Sequence, residues 1–136
     1  MQPIHSLGTF TVKITPVQDP TAIEPSLHRM QIDKQFAGSL QAASKGEMLA
    51  IGAGGPGSSG AYVALERVEG TLDGKRGSFA LQHTGVMDRG TPSLTISVVP
   101  GSGTGELTHL TGSMKIDIVN GVHHYEFRYA IHPPAE

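Results

Sequence analysis

Residues 61–85 read A-Y-V-A-L-E-R-V-E-G-T-L-D-G-K-R-G-S-F-A-L-Q-H-T-G. Two β-rich arms flank Asp73-Gly74, a dipeptide favoured in tight hairpin turns because both central positions need φ > 0. A two-residue loop at 73–74 sets Val68 opposite Phe79, Glu66 opposite Leu81 and Ala64 opposite His83. Alternation along each strand puts all of them on one face. That face carries Tyr62, Val68, Phe79 and Leu81, the pattern of a core, and also Glu66 and His83. A four-residue loop at 73–76 shifts the partners but keeps the face, whereas a three-residue loop breaks the arrangement.

Working outward, residues 9–15 alternate, with Phe10, Val12 and Ile14 on one side and Thr9, Thr11, Lys13 and Thr15 on the other. This predicts a half-buried strand. Residues 16–25, with Asp19-Pro20 inside, predict a loop. Residues 27–41 predict one extended piece whose apolar face holds Met30, Ile32, Phe36 and Leu40, together with His28 and Lys34. Gly38 marks a bend or bulge in it. Residues 47–51 predict a further short strand, 94–99 another, and 107–110 a brief helical turn before a strand from Ser113. At the C-terminal end Asn120-Gly121 predicts a second tight hairpin. It pairs Ile118 with His123, Ile116 with Tyr125 and Met114 with Phe127 on one face. On the other it pairs Asp117 with His124, Lys115 with Glu126 and Ser113 with Arg128.

About eight strands and no helix longer than a turn predict an all-β fold, a mostly antiparallel closed barrel forming one domain over residues 1–136. Closure removes exposed strand edges. The chain has 136 residues, enough for a substantial core, with 18 glycines, 9 prolines and only 16% charged residues. That balance suits many strands joined by tight turns. A formal net charge of −2 offers no basic surface for nucleic acid or an acidic membrane. There are no cysteines, which excludes disulfides and thiolate chemistry. The start of the chain shows no basic and apolar leader, and no run is long enough to cross a bilayer as a helix, so a cytoplasmic location is expected.

The segments L-E-R-V-E-G-T-L-D-G-K-R-G-S-F-A-L-Q-H-T-G and S-V-V-P-G-S-G-T-G-E-L resemble a bacterial family of small proteins carrying a domain of unknown function. The resemblance spans residues 8–129 and is densest at 66–70, 77–83 and 98–107. It implies an allene oxide cyclase-like barrel within the calycin-like group, and no established activity. None of that enzyme's catalytic residues is carried over, because fold alone does not fix function.

On the inward face, Lys34, Tyr62, Glu66 and His83 form the candidate ligand-binding set, with Glu66 and His83 the candidate catalytic pair. Burying a charge costs several kcal/mol unless it is paired or hydrogen-bonded. These groups therefore either satisfy one another or line a wet cavity. For Lys34 alone, the structural alternative is a stem along the apolar wall with its ammonium in water at the barrel mouth. Three functions fit: a barrel binding a small, mostly apolar molecule; an isomerase or cyclase using Glu66 and His83 as acid and base; and a structural barrel whose polar cluster only fixes register.

No cofactor is implied. The seven histidines occupy different elements without His-x-x-x-His spacing, so no metal site is expected. The glycine-rich stretch 52–60 contains a literal G-x-G-x-x-G at Gly52, Gly54 and Gly57, but Pro56 sits inside it and a strand, not a helix, follows, so it predicts a loop. The outward face of the central hairpin, with Val63, Leu65, Arg67, Ala80 and Gln82, is more apolar than a solvated face. It predicts self-association, most simply a symmetric dimer.

Overall fold

The structure is a computed structural model describing residues 3–18, 21, 23–52 and 57–133. Its strands are β1 (Ile4–Pro16), β2 (His28–Gly38), β3 (Leu40–Gly52), β4 (Gly60–Leu72), β5 (Lys75–Asp88), β6 (Thr91–Val98), β7 (Leu110–Val119) and β8 (Val122–Ile131). Each pairs antiparallel with the next, and β8 returns to β1 to close the barrel. Gly54 and Pro56 of the glycine-rich stretch, and Asp19-Pro20 of the 16–25 loop, lie outside the described residues.

Both hairpins take the register their turns dictate. In the central one Val68 faces Phe79, Glu66 faces Leu81 and Ala64 faces His83. Asp73 and Gly74 both have positive φ, 48° and 83°. The C-terminal hairpin pairs Ile118 with His123, Ile116 with Tyr125 and Met114 with Phe127. On the outer face Asp117 stands opposite His124, Lys115 opposite Glu126 and Ser113 opposite Arg128, and Glu126 Oε1 also lies 3.3 Å from His5 Nδ1 on β1.

Residues 27–41 do not form one strand. The chain reverses at Ser39, between β2 and β3. The alternation of Phe36 and Leu40 survives because Gly38 opposes Gly8 and the turn is centred on a single residue. Inward positions thus stay in phase across the corner, and the period alone does not reveal it. Gly38 has φ +99°, and a Cβ there would stand 2.8 Å from Gly8 Cα and Leu7 O. The Tyr125 hydroxyl clamps the corner, accepting from Leu40 N at 2.8 Å and donating to Ala37 O at 2.9 Å. Residues 47–51 are the far end of β3, not a separate strand. Their link to its start was hidden because Ala42, Ala43, Ser44 and Gly46 are poor strand formers. The helical turn falls at Gly105–Leu107, two residues early, and β7 already begins at Leu110.

The barrel ends differ. One is filled by Leu40, Leu72, Leu107, Leu110, Phe127 and Tyr129, all 2% exposed or less. Phe79 stacks on Phe127 there at 5.7 Å between centroids. Burying a side chain of this size contributes roughly 1.5–3 kcal/mol. The 99–109 connection seals that end, with Ser102 Oγ accepting from Ala80 N and Thr104 Oγ1 from Ser78 N. Asp73 does more than turn the chain: its carboxylate accepts from Ser6 Oγ at 2.9 Å and from the Tyr129 hydroxyl, joining the turn to β1 and β8. Burial first, then Asp73, pushes the Tyr129 phenol well above its ordinary range.

At the other end, residues in inward phase are open to solvent: Ile14, Leu94 and Ile118 are 48%, 41% and 60% exposed. Among the described residues β6 and β7 pair at Ile96–Met114 and Ser97–Ser113, level with His83, and no ladder pair continues from there toward Leu94 and Ile118.

A buried Lys–Glu–His cluster at the centre of the barrel

Midway along the barrel the inward positions of three strands bring Lys34, Glu66 and His83 together. Lys34 on β2 and Glu66 on β4 are separated by β3, a span of about 10 Å at the usual strand spacing. The β3 residues beneath the lysine stem are small. Ser44 pairs with Lys34 and with Val68, and Gly46 pairs with Glu66. A long side chain can therefore cross over them. Lys34 Nζ donates to Glu66 Oε2 at 2.9 Å. It also lies 4.9 Å from the Phe10 ring centroid and 5.7 Å from that of Phe36, placing the cation against two π faces. Lys34 points inward, as the face assignment expects, and does not extend to water at the mouth: the residue is 5% exposed. A carboxylate within reach and two aromatic neighbours hold the ammonium inside.

His83 on β5 is diagonal to Glu66. Its Nε2 stands 2.8 Å from the same Oε2. Glu66 is 2% exposed. Burial pushes its carboxyl pKa up, but the adjoining His83 and Lys34 more than offset this and hold it below the usual range. Glu66 is thus an anion. Its second oxygen, Oε1, is buried with no partner among the described residues, and so is Ser44 Oγ. Ser44, diagonal to Glu66 across the β3–β4 pair, had drawn no notice in the sequence, since nothing there marked β3 as a strand at that point.

Tyr62 stands apart, half-buried toward the mouth. Its ring covers Gly85, where a Cβ would lie 2.2 Å from Cε1. Burial, then the charge of Glu66, raises its phenol pKa. On the outside, Val63 and Leu65 are 54% and 59% exposed. Arg67 and Gln82 are exposed beside them, while Ala80 is half-buried. A groove of about 670 Å³ runs over this wall, lined by Arg29, Glu47, Leu49, Val63, Leu65 and Gln82. A second concavity, at the β5–β6 turn, is lined by Val86, Asp88, Arg89, Thr91 and Ser93. Lys34, Glu66 and His83 line neither, although Gly46 and Ala64, the strand partners of Glu66 and His83, border the first. Among the described residues no three His, Asp or Glu side chains are placed to hold a metal ion, and no helix is long and apolar enough to cross a membrane.

Residues 6–129 match DUF3224, a family described as a protein of unknown function. The chain belongs to the DUF3224 family. A crystal structure of a DUF3224 protein of unknown function from Shewanella oneidensis MR-1 is 45% identical to it. It superposes with a TM-score of 0.89 over 98% of this chain and 100% of that one. No curated protein matches. DUF3224 membership agrees with the resemblance drawn from the central hairpin and the 98–107 segment, and the structure supplies the closed eight-stranded barrel. It assigns no activity.

Proposed function

We propose that this DUF3224 barrel binds a small, mostly apolar molecule in its interior, with the polar end of the ligand at the Lys34–Glu66–His83 cluster. The observation that carries this reading is the unpartnered Glu66 Oε1, fully buried inside a barrel wall. A buried anionic oxygen without a donor costs more than one served by a partner. The apolar mouth at Ile14, Leu94 and Ile118 and the short β6–β7 ladder support a route inward. Methyl NMR during titration with a library of small apolar compounds tests it. Binding inside perturbs the inward Ile32, Ile96, Met114 and Ile116 methyls and raises the melting temperature. Perturbation confined to the outer Leu49, Val63 and Leu65, or none at all, defeats the proposal.

The close approach of His83 to Glu66 favours a second reading, acid–base catalysis of an isomerisation or cyclisation. The depressed carboxyl makes Glu66 a poor proton acceptor, so His83 would move the proton and Glu66 would orient it. Glu66→Gln and His83→Ala then abolish turnover while ligand still binds; unchanged turnover in both removes the enzyme reading.

The outer wall supports self-association. Leu49 pairs with Val63, and Leu65 lies beside Glu47 and Gln82, giving an exposed apolar patch across the adjacent strands β3 and β4. Packing of two copies through this patch predicts a dimer by light scattering and a monomer for Leu65→Glu. A wild-type monomer at micromolar concentration excludes it.

A further inference from the structure

We infer that the polar end of the interior ligand is a neutral hydroxyl, so that the ligand class is apolar alcohols or phenols rather than carboxylic acids, amines or plain hydrocarbons. This rests on the interior-binding reading and narrows it. Three buried atoms there have no hydrogen-bond partner among the described residues: His83 Nε2, which already faces Glu66 Oε2 at 2.8 Å, and Glu66 Oε1 and Ser44 Oγ, whose residues are 2% and 1% exposed and which face no such group. The last two residues occupy diagonal inward positions on paired strands, a spacing that one small polar group can span. A carboxylate oxygen accepts and does not donate, whereas a serine hydroxyl does both. The complementary group donates to Oε1 and accepts from Oγ, which a hydroxyl does with one oxygen atom.

Charge excludes the alternatives. An anionic head group would meet Glu66 with like charge in a poorly solvated interior. The other carboxylate oxygen already carries Lys34 at 2.9 Å and His83 at 2.8 Å. A ligand ammonium would therefore add a second full cation beside Lys34, with no further anion in the cluster to balance it. A hydrocarbon would leave both polar atoms unserved. The neutral donor is the one head group that satisfies both atoms without changing the net charge of the cluster.

The test compares hexanol, hexanoate, hexylamine and chlorohexane, with their octyl counterparts, by methyl NMR titration near neutral pH. The account expects the alcohol to bind roughly tenfold tighter than each of the other three, the worth of one hydrogen bond to a charged acceptor. Ser44→Ala, which removes a hydroxyl with no hydrogen-bond partner among the described residues, weakens the alcohol severalfold and leaves chlorohexane unchanged. An acid or amine binding as tightly as the alcohol overturns the inference while interior binding stands. Chlorohexane equal to hexanol overturns it in the same way. If no probe of either length moves the inward methyls, both the inference and interior binding fail.

Discussion

Replacing Lys34 by methionine keeps an unbranched apolar stem and deletes the ammonium. The side chains of Lys34 and Glu66 are 6% and 0% exposed, and their charged atoms are 2.9 Å apart. The carboxylate left behind has no water to turn to, and its remaining neighbour is His83. Breaking a buried pair from one side costs about 3–5 kcal/mol, because the surviving charge is stranded. For a domain of this length that is roughly 10–20 °C in melting temperature. Urea unfolding near neutral pH should show this penalty directly. Adding Glu66→Gln to Lys34→Met should recover most of the loss. A single variant within about 0.5 kcal/mol of wild type would mean that water reaches the pair and that the charges are not buried together.

The wild-type cluster also sets an acid limit. Glu66 has a lowered carboxyl pKa in the folded state, so its contribution is complete above the unfolded value of about 4.5 and is lost as pH falls through the folded one. Glu66→Gln should flatten the acid limb of stability against pH, and an unchanged limb counts against the assignment. Ser44→Ala removes an unpartnered buried hydroxyl and should stabilise the ligand-free protein by about 1 kcal/mol in urea unfolding; destabilisation by that amount would reveal a hidden partner. Asp73→Asn keeps a residue that tolerates the positive φ but weakens the bonds from Ser6 and Tyr129. It should cost about 1–2 kcal/mol, and Tyr129→Phe in that background should add little.

The central and C-terminal hairpins were legible because Asp73-Gly74 and Asn120-Gly121 each specify a two-residue turn, and a turn with strict alternation fixes every facing pair. Glu66 and His83 could thus be placed on one wall from local sequence. Their contact with Lys34 is non-local. It depends on β3 passing between β2 and β4 with small residues uppermost, and the A-A-S-K-G run at 42–46 carries no strand period strong enough to show this. The Ser39 corner was invisible for the opposite reason, since alternation continues through it. Asp73 reads as a turn residue from its neighbours alone; its bonds to Ser6 and Tyr129 cross more than fifty residues of sequence. The short β6–β7 ladder follows from how the whole sheet closes, and no single stretch encodes it.

Native mass spectrometry of DUF3224 protein purified from cells addresses the proposed interior site most directly. The account predicts a species heavier than the chain by one small molecule, released on denaturation and restored when stripped protein is incubated with an apolar alcohol. A mass equal to the chain alone, both as purified and after that incubation, would contradict it.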